Sequence, residues 1–220
     1  MCTLWKATGG GIGTYYSLFF GNFQKMERRL NFGNKMEING IYSYAYTKKG
    51  DRIGIISGKG FISTLPKSLN NDTLNFICKL KVLGVAFEKP FLKYCIFGIN
   101  FSQISAEYFI GMFKKEKINW SEACEGENFR AIQVDGKYTS FSAYTGFEFG
   151  VIRRFKLFIG GGINFLIIPK GSFWIHGNRY LLVDSPQTFI HSFYLIINPK
   201  FDVKGYYRKI FLKEKKGRKK

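Results

Sequence analysis

This chain is short of several things, and each shortage narrows what it can be. It has no run of about 18 consecutive apolar residues, which excludes a transmembrane helix. Its longest apolar stretches, such as Leu92–Ile99 and Phe165–Ile168, are strand-sized. No secretory signal is visible. Met1-Cys2-Thr3-Leu4-Trp5-Lys6 leads into Gly9-Gly10-Gly11 without a basic start, an apolar stretch and a small-residue cleavage site. An exported chain would therefore need a start upstream of Met1. The 4 cysteines (Cys2, Cys78, Cys95 and Cys124) lack the paired spacings of a zinc site, and no metal or cofactor is expected. Cys78 and Cys95 are placed on neighbouring strands but on the order of 20 Å apart along them, too far for a bridge. Histidine is limited to His176 and His191.

Acid is also scarce. With 34 Lys+Arg against 15 Asp+Glu the net charge is +19, which suits anionic surroundings such as nucleic acid or lipid phosphate. Part of that charge sits in the tail 213–220, read as a solvated end beyond a single domain spanning 1–212. What is abundant is aromatic side chains (24 Phe, 13 Tyr) and glycine (25). Aromatic residues suit pleated surfaces, and glycine inside strands marks close approaches and tight bends.

Eight stretches alternate apolar and polar residues: Gly9–Phe20, Lys35–Thr47, Arg52–Ser63, Leu74–Phe87, Leu92–Ser105, Lys137–Val151, Phe155–Ile168 and one from Thr188 past Phe201. Short turns join three pairs, and longer connections (about 21–34, 64–73, 106–136 and 169–187) separate them. That rhythm predicts an all-β, eight-stranded antiparallel up-and-down barrel, with short turns at one end and long loops at the other, and the orientation of its faces makes it a transmembrane barrel. Asn198-Pro199-Lys200 is expected to bulge or split the last strand. In Leu74–Phe87 the even face holds Leu74, Phe76, Cys78, Leu80 and Val82. Opposing Phe87 with Leu92 matches it to Cys95, Phe97, Ile99 and Phe101, and brings Lys79 and Lys81 to Asn100 and Gly98.

Three features point the apolar face outward, into a membrane. The strands are long enough to cross a bilayer. The polar face is mostly Gly, Ser, Asn and Thr, with isolated Lys79, Lys81, Glu148 and Lys156, which suits a narrow lumen. Aromatics gather beside turns, at Tyr44 and Tyr46, Phe87 and Phe91, and Phe149 and Phe155, as in interfacial girdles. The inverse arrangement, a soluble lipocalin-like barrel around an apolar ligand, is the rival reading.

The Lys-Pro turn between two strands in Leu74–Ser105, and Tyr144-x-Gly146-x-x-x-Gly150 with its glycine-rich return to Phe165, resemble the small eight-stranded outer-membrane β-barrels of the OmpA/OmpX-like, porin-like class. The resemblance implies an outer-membrane location in a Gram-negative bacterium, short periplasmic turns, long extracellular loops and insertion by the barrel-assembly machinery. The chain departs from the class in its start and in its end, where Tyr206-Tyr207 and Phe211 are followed by basic residues.

The chemical signals are few. Gly9-Gly10-Gly11-Ile12-Gly13-Thr14 is followed by strand rather than helix, so it is not read as a phosphate loop. His176 near Asp184 and Ser185 lacks a nucleophile motif, and no enzyme is expected. Lys79, Lys81, Glu148 and Lys156 are expected as a paired lumen network that plugs the barrel, with no open channel. Lys114, Lys115, Lys117 and Trp120, in the longest loop, are the expected surface-recognition residues. The partners implied are outer-membrane lipid and lipopolysaccharide, met by a monomer through basic loops (Lys25, Arg28, Arg29 and Lys35 among them), with no nucleic-acid partner.

Overall fold

Alternation with a period of two folds here into strands whose two faces meet different environments. In a computed structural model the described residues are 9–26, 32–65, 67–69, 72–92, 94–113, 129–152, 154–169, 172–176 and 188–204. The elements in chain order are β1 (Gly10–Gly21), a 3-10 turn (Phe23–Met26), β2 (Phe32–Tyr46), β3 (Arg52–Thr64), β4 (Lys67–Leu69), β5 (Asp72–Pro90), β6 (Cys95–Phe113), β7 (Phe129–Ile152), β8 (Phe155–Ile168), β9 (Phe173–Ile175) and β10 (Thr188–Lys204). Eight of the strands form a closed antiparallel barrel in the order β1-β2-β3-β5-β6-β7-β8-β10, with β10 returning to β1. β4 and β9 are short additions paired to β5 and β7. Closure leaves no ring strand with an unpaired edge.

The turns follow local chemistry. At the β2–β3 turn, Gly50 takes φ 87°, and the Asp51 amide donates to Thr47 Oγ1 at 3.2 Å. β5, β6 and β7 run to 19, 19 and 24 residues, past their neighbours β3 and β8 at 13 and 14. They therefore rise as a wall above the rim at the long-loop end. The connection expected over 106–136 is correspondingly shorter, because strand continues to Phe113 and resumes at Phe129. β10 neither splits nor bulges at Asn198-Pro199-Lys200. Its ladder to β8 continues through Asn198↔Phe158, Pro199↔Leu157 and Lys200↔Lys156.

The hairpin β5–β6 corrects the expected register. Phe87 opposes Ile99, and Lys79 and Lys81 oppose Glu107 and Ser105. Lys89 and Pro90 stay in β5, which moves the turn toward Cys95 and pairs even residues with even ones. The even face of β5 (Phe76, Cys78, Leu80, Val82) therefore points into the barrel, while Ile77, Lys79, Lys81, Leu83 and Val85 point out. Tyr44 and Tyr46 also turn inward rather than joining a girdle, whereas Phe91 and Phe149 are exposed. Cys78 and Cys95 are free thiols, as expected.

Outside, apolar side chains cover most of the ring. Ile12, Ile55, Val85, Phe101, Phe141, Ile163 and Phe193 are all exposed. Inside, aromatic rings lie over glycines of adjacent strands. Tyr144 has Gly98 and Gly162 as its two cross-strand partners. A Cβ at Gly98 would come within 2.2 Å of the Tyr144 ring. The paired Gly146 and Gly160 leave the same space for Phe158. Glycine in these strands is what admits bulky rings into a narrow interior.

Candidate functional site: the layered barrel interior

The lumen is stratified along the barrel axis, and the turn end is ionic. Arg52, the first residue of β3, stands directly opposite Glu88 of β5. Lys156 of β8 stands opposite Lys200 of β10. Glu148 of β7 and Asp202 of β10 complete three cations and three carboxylates, a neutral set. Arg52 donates to Glu88 Oε2 at 3.0 Å and forks onto both oxygens of Glu148, with Nη1 to Oε2 at 2.6 Å. Lys200 Nζ donates to both Glu88 oxygens at 2.9 Å. Lys156 Nζ reaches Asp202 Oδ2 at 2.6 Å and Tyr46 Oη at 2.9 Å.

Tyrosines finish the job. Tyr44 and Tyr46 donate to Asp202 Oδ1 at 2.6 and 2.8 Å, and Tyr144 donates to Glu88 Oε1 at 3.1 Å. Lys200 lies 4.9 Å from the centre of the Phe158 ring, and Arg52 lies 5.3 Å from that of Tyr46. The Lys200 side chain is 0% exposed and that of Glu88 1%. Charges so deeply placed persist only when each meets a counter-charge and hydrogen bonds. Here each does.

The middle layer is neutral and polar. Ser140 donates to Asn164 Oδ1 at 2.6 Å, Asn164 Nδ2 donates to Ser192 at 3.4 Å, and Ser102 donates to Asn100 at 2.7 Å. A cavity of about 40 Å³ lies here, with Tyr15, Tyr42, Asn100, Ser142 and Asn198 in its wall. Tyr15 Oη, Tyr42 Oη and Asn198 Oδ1 are buried with no hydrogen-bond partner among the described residues. All three residues line that same cavity.

The long-loop end is greasy. Phe23 and Met26 of the 3-10 turn are fully buried. Phe32 meets Phe76 edge-on at 4.9 Å. Phe173 of β9 packs 5.8 Å from Tyr108 and 5.7 Å from Tyr138, whose hydroxyls hydrogen-bond to each other. Cys78, Leu80, Ile104 and Leu166 are buried below them.

Of the expected lumen residues, Glu148 and Lys156 belong to the ionic layer. Lys79 and Lys81 do not: Lys79 lies over the Phe109 ring at 5.0 Å on the outer face, and Lys81 pairs there with Glu107. Parity decides this, because in β5 the odd residues face out. The sequence reading missed Arg52, Glu88, Lys200 and Asp202 as lumen groups. Arg52 and Glu88 resemble turn charges, and Lys200 sits beside a proline. The available signal was that Glu88 shares parity with Leu80, and Lys200 with Ser192 and Asn198. His176 Nδ1 meets Asp135 Oδ2 at 2.7 Å on the outer wall rather than in the lumen. Asp184, Ser185, Arg28, Arg29, Lys114, Lys115, Lys117 and Trp120 lie outside the described residues.

No family model matches the sequence, and no curated protein matches it. Solved structures with similarity include a major outer membrane protein from Thermus thermophilus, at 9% identity and TM-score 0.43, covering 87% of this chain and 98% of that one. The outer membrane protease OmpT from Escherichia coli is similar at 10% identity and TM-score 0.36, covering 88% of this chain and 94% of that one. At such identities no function transfers to this chain.

Proposed function

We propose that this chain is an integral barrel of a Gram-negative outer membrane, with a structural or surface-interaction role and no conducting pore. The observation that carries the reading is the inversion of polarity. Three cations and three carboxylates pair with one another inside, while Ile55, Phe101, Ile163, Phe193 and Leu195 stand exposed around the outside. In water that exterior would be an aggregation surface; in a bilayer it is the expected lipid-facing band. Every ring strand has 12 residues or more, and a tilted strand needs only ~9–11 to cross.

The interior supports a plug rather than a path. Among the described residues the ionic layer and the aromatic layer lie across the two ends, and the cavity between them is about 40 Å³. A carrier for an apolar ligand needs roughly 300 Å³ or more, which counts against the lipocalin-like alternative. On this reading the partners are outer-membrane lipid, lipopolysaccharide included, and the machinery that inserts barrels.

The test is biochemical. The full chain should float with phospholipid vesicles and migrate faster on a gel before boiling than after. In planar bilayers it should give no steady conductance. A monodisperse, detergent-free soluble protein would end the proposal, and stable open-channel currents would end its non-conducting part.

A further inference from the structure

The outward apolar band is uneven. On β10 it runs from Phe189 to Val203, and on β7 from Phe141 to Val151. On the side formed by β2, β3, β5 and β6 it is continuous only as far as Ile41, Ile55, Leu83 and Phe101, and beyond them Phe61 and Ile77 stand exposed among Glu37, Lys79 and Glu107. One register step beyond Ile41 and Leu83, Asn39 opposes Lys59, Lys59 opposes Lys81, and Lys81 opposes Ser105. A groove of about 570 Å³ opens there on the barrel's outer wall, lined by Asn39, Ser57, Lys59, Lys81, Gln103 and Ser105, with Ile41 and Leu83 on its apolar margin.

Two lysines directly opposite each other on an antiparallel ladder repel. Lys81 is relieved by Glu107, but among the described residues Lys59 has no carboxylate in salt-bridge range. The hydroxyls and amides around the pair are the donors an oxyanion would use. The continuous part of the apolar band ends at the groove and mixed polar and apolar surface follows, the kind of boundary at which lipid headgroups sit. We propose that this groove binds the phosphate of a membrane lipid headgroup, with Lys59 and Lys81 as its cationic contacts and the acyl chains descending over Leu83, Ile55 and Phe101. The assignment rests on the membrane reading above. A free phosphate would satisfy the lysines and gain nothing from the apolar margin.

The full-length barrel in alkyl maltoside micelles, which carry no phosphate, is titrated with dioleoyl phosphatidic acid and followed by native mass spectrometry. The same is done with dioleoylglycerol and with inorganic phosphate. One phosphatidic acid per barrel is expected, with neither comparison compound binding at the same concentration. The pair Lys59→Gln/Lys81→Gln should weaken binding about twenty-five-fold, at roughly fivefold per lysine near a headgroup. Lys59→Arg/Lys81→Arg should retain it. Lys49→Gln/Lys89→Gln, with equal charge loss at the turn end, should bind like the parent.

Unchanged binding by the Lys59/Lys81 glutamine pair, equal loss in the Lys49/Lys89 pair, or competition by inorganic phosphate would overturn the site. Gel migration of the same samples separates the two failures. A heat-modifiable, vesicle-inserted barrel that retains no lipid sinks the groove alone. A chain that never enters vesicles sinks the membrane reading and the groove with it.

Discussion

Removing the carboxylate of Glu88 is the sharpest perturbation of the lumen. That group accepts from Arg52 at 3.0 Å, twice from Lys200 at 2.9 Å, and from Tyr144 at 3.1 Å, in a side chain 1% exposed. Glu88→Gln keeps the shape but leaves the cluster with one uncompensated positive charge away from water. Breaking a buried ion pair from one side costs about 3–5 kcal/mol. Lys200→Met alone should cost a similar amount with the opposite charge left over. The pair Glu88→Gln/Lys200→Met restores neutrality, so its cost should fall short of the sum of the singles by on the order of 1–3 kcal/mol. Urea titration of the vesicle-inserted barrel, read by tryptophan fluorescence and by unheated gel migration, measures all three. Singles costing under about 1 kcal/mol, or strictly additive losses, would refute the picture of a mutually dependent ionic layer.

Three further outcomes are expected. Gly98→Ala places a Cβ 2.2 Å from the Tyr144 ring and should destabilise by about 1–3 kcal/mol, whereas Gly150→Ala, with nothing within 4 Å, should be nearly neutral; equal effects in the same titration would contradict the ring-over-glycine packing. Tyr44→Phe removes a 2.6 Å bond to Asp202 and should cost about 1.5–3 kcal/mol, while Tyr42→Phe removes a hydroxyl with no partner among the described residues and should cost under about 1 kcal/mol unless ordered water in the adjoining cavity holds it, which a high-resolution crystal structure would reveal. Leu195→Arg, on the outer face, should cost roughly 2–4 kcal/mol in a bilayer and lower the yield of vesicle insertion; a variant that inserts and resists urea like the parent would place that face away from lipid.

Much of the ring was legible from residues alone because turn chemistry and alternation are local. Thr47-Lys48-Lys49-Gly50-Asp51 fixes one hairpin, and β8 lies at Phe155–Ile168 where alternation put it. The residues of Lys137–Val151 also distinguish their two faces. There Phe141, Phe147 and Phe149 oppose a run of Ser, Tyr and Gly, so only one side is fit for lipid.

β5 gave no such contrast. Leu80 and Val82 lie on one side, and Ile77, Leu83 and Val85 on the other, so period two separates the faces without orienting them. The choice falls to register across the ring: once Pro90 pairs with Ile96, even meets even, and Lys79 and Lys81 must look outward. The ionic layer is likewise a product of closure. Arg52, Glu88, Glu148, Lys156, Lys200 and Asp202 come from five strands, and nothing between neighbours in sequence links them. Composition and alternation determined that this chain makes antiparallel strands with a face suited to lipid. Which charges share one compartment was decided only when the last strand met the first, since pairing energies inside depend on distances that a closed ring alone can set.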